Sequence, residues 1–186
     1  MWNQVIELLS KSYVCGHCGE KVCSQIGYKH HSDPNSHIYI CHFCGKPTYF
    51  SSKEQVPGPL IAADVRNVPD DIDGLYKEAR LSFSVNAFTA SIMACRKIIM
   101  HIAVSKTATT GLSFQQYVDF LNEKHFIPPD GKEWVDHIRR KGNEANHEIV
   151  IMQKDDAEDL IVFIEMLLKL IFEFPSKVKR KAETPK

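Results

Sequence analysis

The sequence predicts a mainly α protein: an antiparallel helical bundle preceded by a small cysteine-rich β segment. Three observations predict it. Five of the six cysteines fall within the first 50 residues, four of them in two C-x-x-C pairs beside short strand-like runs. From Val68 onward the apolar residues recur at helical rather than strand spacing. The most apolar stretch, Leu160–Phe174, is punctuated by Glu165, Lys169 and Glu173, so it reads as a core helix rather than a membrane span.

Size and composition agree with this. The 186 residues are 44% hydrophobic, enough for one good core and a small satellite domain. Net charge is zero, so no global basic field announces nucleic acid, although a local patch is compatible with neutrality. The start, "MWNQVIELLSKSY", lacks the features of a signal peptide. Paired cysteines without a secretion signal point to metal rather than disulfides, and the expected location is cytoplasmic, with no membrane partner.

The expected domains are a ribbon over 1–52, a linker over 53–67, a helical bundle over 68–175 and a disordered basic tail over 176–186. In the ribbon, "HIYIC" and "PTYF" read as short hairpin strands, and "GYKHHSDPNSH" as a solvated loop. Each pair, Cys15/Cys18 and Cys41/Cys44, is C-x-x-C-G. The two-residue spacer lets both sulfurs reach one ion, and the glycine permits the tight turn. Four thiolates close a tetrahedral site that suits structural zinc and leaves no open position for catalysis. Cys23 and the nearby histidines, among them His17 and His42, are alternative ligands that spacing alone leaves open.

"SSKEQVPGPLIAADVRNVPDD", rich in Ser, Pro and Gly, marks the linker. The first helix follows Asp70 or Asp71 as cap, with Ile72, Leu75, Tyr76, Ala79 and Phe83 on one face. Asn86 is the expected cap of the second helix, "AFTASIMACRKIIMHIAVS", in which Cys95 is a buried small hydrophobe. Ser113 and Gln116 form a capping box for the third. "IPPDG" breaks the chain before a fourth helix that starts near Lys132. The fifth runs from Gln153 to Phe174, with Asp155 or Asp156 near its start.

The predicted fourth helix holds an unusually polar stretch, "IRRKGNEANHE". At roughly 100° per residue, Arg140, Asn143 and His147 lie at about 0°, −60° and −20° around the axis, with Arg139 about 80° from His147. An arginine that clamps phosphate and a histidine that moves a proton near neutral pH suit metal-independent RNA cleavage. A solvated helix face, or a hydrogen-bonded staple within the bundle, accounts for the same residues.

"VPDDIDGLYKEAR", "AFTASIMACRKIIMHIA", "HIRRKGNEANHE" and "DDAEDLIVFIEMLLKLIFE" together resemble the bacterial domain of unknown function 4145 family, within the HEPN superfamily of helical bundles. The match to I-R-x-x-G-N-x-x-x-H uses Ile138, Arg139, Gly142, Asn143 and His147. A second likeness, an alanine followed by an arginine on one helix, uses Ala90 or Ala87 and Arg96; Met100 stands where an acidic residue is often found. The resemblance implies a HEPN-like bundle and an RNA-directed protein of a stress or anti-phage defence system. In its catalytic form His147 is general acid/base, Arg139 or Arg140 the phosphate clamp and Asn143 the positioning group. It further implies a homodimer with a composite site and an antitoxin or restriction-system partner. The competing class is a non-catalytic nucleic-acid-binding or protein-interaction module.

Overall fold

The structure, a computed structural model, describes residues 4–128 and 151–183. The chain divides into two compact units. One comprises the chain up to Leu60 together with Phe83–Asn86; the other comprises Ile61–Ser82 and the chain from Ala87 onward.

The first unit is a five-stranded antiparallel sheet: β1 (Ile6–Val14), β2 (Lys21–Lys29), β3 (His37–Ile40), β4 (Pro47–Phe50) and β5 (Gln55–Val56), paired in chain order. The register sets Val14 opposite Lys21, Gly27 opposite Tyr39 and Ile40 opposite Pro47, with an irregularity in β1 between Glu7 and Lys11. Inward-facing Tyr13, Val22, Tyr39 and Phe50 pack with Cys15 and Cys41 into a small core. Its rings meet edge to face, Tyr13 on Phe50 at 5.0 Å and Tyr39 on Phe50 at 5.6 Å between centroids, an arrangement favoured by the ring quadrupoles. Tyr39 also donates from its hydroxyl to the Leu9 carbonyl at 2.9 Å.

The second unit holds α1 (Asp70–Ser84) apart from its last residues, α2 (Phe88–Ser105), α3 (Phe114–Glu123), α4 (Lys154–Leu168), a π-helical turn (Lys169–Glu173) and α5 (Phe174–Glu183). α2 is its centre and packs against both α3 and α4. Ile92, Cys95, Ile99 and Ile102 recur at three- and four-residue steps and are wholly buried. Leu160, Ile161, Ile164, Leu167 and Leu168 form the matching stripe of α4. Among the described residues only α2 is long and apolar enough to cross a membrane, and 44% of that span is buried inside the protein.

These findings correct the expected class. A mainly α, HEPN-like antiparallel bundle with a minor β ribbon is not what the described residues build; they build a five-stranded sheet and a separate helical unit. β1 and β2 are nine residues each, far longer than knuckle hairpins require. β1 escapes a pattern reading because it is an edge strand with only one buried residue, Tyr13, so no apolar alternation marks it. The predicted fourth helix lies outside the described residues.

Four further differences are local. The sheet continues to Val56, into the expected linker. Residues 61–64 of that linker are held down: Arg80 donates to the Ile61 and Ala62 carbonyls at 2.8 Å each and pairs with Asp64, and the Tyr76 hydroxyl donates to the Ala63 carbonyl at 3.0 Å. Helix also continues through Phe174–Glu183, where a disordered tail from residue 176 was expected. Its first turn is tied by Lys177 to Glu173, which also accepts from the Arg66 N–H at 3.2 Å. The α3 capping box forms as expected, but Asn86 does not cap α2; it sits at φ 63° and Ala87 takes the cap position.

Candidate metal centre

The two C-x-x-C-G sequences fold into nearly superposable turns. In the first, the Cys15 N–H donates to the Glu20 carbonyl at 2.9 Å and the Gly19 N–H to the Cys15 carbonyl at 2.8 Å. In the second, Cys41 donates to Lys46 at 3.0 Å and Gly45 to Cys41 at 2.8 Å. Gly19 (φ 76°) and Gly45 (φ 72°) occupy the same left-handed position, which a side chain would strain. β1–β2 carries the first turn and β3–β4 the second, and sheet pairing brings them together.

The four sulfurs of Cys15, Cys18, Cys41 and Cys44 lie within 4.8 Å of one another. Cys15 Sγ is 3.8 Å from Cys44 Sγ, and Cys18 Sγ is 3.9 Å from Cys41 Sγ. All six cysteines are free. An ion bound at about 2.3 Å from each of four tetrahedral sulfurs requires sulfur–sulfur edges of about 3.8 Å. The donor set therefore fits a single metal ion, and its two crosswise contacts have the required length.

Backbone N–H groups and burial act in opposite directions on the sulfurs. The sulfur of Cys18 accepts from the backbone of Glu20 and that of Cys44 from Lys46, equivalent positions in the two turns. Burial opposes ionisation of Cys41, but the Cys44 and Phe43 N–H groups outweigh it and bring the thiol down to about 7. Burial pushes Cys18 up to about 12, so without an ion the four do not all ionise together. A cation is the natural means of holding them charged. Burial and the neighbouring Cys41 and Cys15 likewise push the Tyr13 phenol up to about 12, keeping it neutral beside the cluster.

The alternative ligands stand elsewhere. Cys23 is exposed with its sulfur 3.0 Å from the Ser10 hydroxyl. His17 Nε2 donates to the Pro47 carbonyl at 3.0 Å, bracing one knuckle turn against the strand that follows the other. That brace went unseen in the sequence, where His17 reads only as a spare ligand. Cys95 is buried in α2, its thiol pushed up by burial. Arg139, Arg140, Asn143 and His147 lie outside the described residues.

Sheet and cluster define a β module that gathers four cysteines at one point, joined to a helical unit. The chain belongs to the family described as domain of unknown function (DUF4145), whose model matches residues 77–184, more than half of its length. The cysteine cluster precedes the matched region. No curated protein and no solved structure matches the chain.

Proposed function

We propose that the protein is an RNA-directed binding protein whose β unit is built on one structural zinc ion. Zinc suits four thiolates in a closed tetrahedral set, and when bound it supplies folding free energy rather than chemistry. The observation that carries the reading is Phe43. It lies within the second knuckle turn and is 68% exposed, beside exposed His42 and Lys46. An open aromatic ring next to a cation is what an unpaired base stacks on while its phosphate is neutralised. Lys21, next to the first knuckle, is exposed too.

RNA cleavage is the catalytic extension of this reading and rests on the sequence stripe alone. There His147 transfers protons, Arg139 or Arg140 clamps the phosphate and Asn143 positions it. Relation to the HEPN superfamily, a composite site between two copies and a partner from a defence system rest on the same I-R-x-x-G-N-x-x-x-H match.

The test uses the zinc-loaded full chain and a fluorescent single-stranded RNA. Binding should weaken as salt rises, and Phe43→Ala should reduce affinity by about 5- to 150-fold, the worth of one stacked base. Equal affinity for the wild type and Phe43→Ala would remove the reading. Cleavage should resist chelators, leave a 2′,3′-cyclic phosphate and vanish in His147→Ala. Binding without any cleavage would favour the non-catalytic class.

A further inference from the structure

Arg96 presents an unusual combination in the helical unit. Its side chain is 5% exposed, yet Nη1 has no hydrogen-bond partner among the described residues. The face of the guanidinium is covered by Phe114, whose ring centroid is 4.1 Å from Cζ. With that face stacked, the N–H groups are confined to the plane of the guanidinium. Arg96 lines a groove of about 930 Å³ between α1, α2 and the start of α3. Burial lowers the affinity of Arg96 for its proton, but an arginine remains charged at neutral pH. A buried charge without a partner is costly, and proteins ordinarily pair it.

The groove has a second cation and an apolar floor. Lys97 stands on its rim, exposed, and α3 opens onto it through Ser113 and Phe114, presenting the positive end of its helix dipole. Leu75, Met93 and Met100 supply apolar wall. Glu78 is the one carboxylate of the lining and is exposed at the edge. The volume lies within the range of small-molecule sites.

We infer that this groove is a binding site for a small organic anion, in which Arg96 holds a carboxylate or phosphate through paired N–H groups while the methionine and leucine wall covers an apolar body. Two neighbouring N–H groups of one guanidinium match two oxygens of either anion. The inference goes beyond the RNA reading and does not depend on Phe43 or the knuckles.

The test is calorimetric titration of the zinc-loaded full chain with phenyl phosphate, benzoate, inorganic phosphate and neutral benzyl alcohol. Phenyl phosphate or benzoate should bind saturably and raise the melting temperature. Inorganic phosphate and benzyl alcohol should each bind at least about tenfold more weakly, since each lacks one half of the site. Which anion binds tighter distinguishes a phosphate from a carboxylate ligand. Arg96→Met should abolish binding while leaving the melting temperature equal or higher, because it removes an unpaired buried charge. Ala90→Trp, at an exposed position of the lining, should block binding by filling the groove without entering the core. The inference is overturned if neither organic anion binds at millimolar concentration. It is equally overturned if binding survives both substitutions, or if Arg96→Met lowers the melting temperature markedly and Ala90→Trp leaves binding intact.

Discussion

Cys15 Sγ and Cys44 Sγ lie 3.8 Å apart although 29 residues separate them in the chain. Neither belongs to the other's C-x-x-C pair, so the contact joins the two knuckles. One metal ion per chain is the expected stoichiometry, measured by elemental analysis of purified protein. Cys15→Ser and Cys44→Ser should each lose most of the metal and melt the β unit, whereas Cys23→Ser should retain both. Full metal content in Cys15→Ser would show that another ligand set is used.

The knuckle glycines separate two kinds of steric demand. At Gly19 and Gly45 nothing lies within 4 Å of an added Cβ, and the demand is the left-handed backbone alone. Alanine there should cost about 1–2 kcal/mol. At Gly16 a Cβ would stand 2.2 Å from the Gly58 carbonyl oxygen and 2.6 Å from that of Pro57. Gly16→Ala should cost more, about 3 kcal/mol, through overpacking against backbone. Denaturant titration of the metal-loaded variants gives the order; Gly19→Ala as damaging as Gly16→Ala would contradict it.

Arg80 anchors the segment before α1. Its guanidinium is buried and satisfies the Ile61 and Ala62 carbonyls, while the Asp64 side chain is 77% exposed. With the Asp64 carboxylate open to solvent, the ion pair contributes little. Arg80→Met should therefore cost about 3 kcal/mol through the carbonyls left unsatisfied, and Asp64→Asn much less. Lysine is a poor substitute, because one ammonium cannot reproduce the fork. Similar losses for Arg80→Met and Asp64→Asn would assign the anchor to the ion pair instead.

Glu173 sets an acid sensitivity. Its hydrogen bond from Lys177, then that from the Arg66 N–H, holds the carboxyl below its usual 4.5. A folded-state value below the unfolded one means that the stabilisation is complete above the unfolded value. It disappears as pH falls through the folded one. Melting temperatures taken from about pH 6 down to pH 3 should fall more steeply for the wild type than for Glu173→Gln, which cannot titrate. Parallel curves would deny Glu173 this part.

The sequence by itself determined the features that depend on neighbours in the chain. The C-x-x-C-G spacing names the four clustered cysteines because each half of the site is a local turn. Ser113 and Gln116 mark the start of α3 because a capping box is complete within four residues. The periodic faces of α1 and α4 show because each helix buries one stripe. Only the tertiary structure decided the rest. β1 is a strand because β2 pairs with it, and being an exposed edge it carries no alternation to read. The fold class changes with it. Arg96 is marked in sequence only by the family resemblance; its burial against Phe114, its unpaired Nη1 and the groove before it exist only once α2 and α3 are packed. Spacing along the chain encodes turns, caps and stripes, whereas edge pairing and buried charge depend on contacts between segments far apart in sequence.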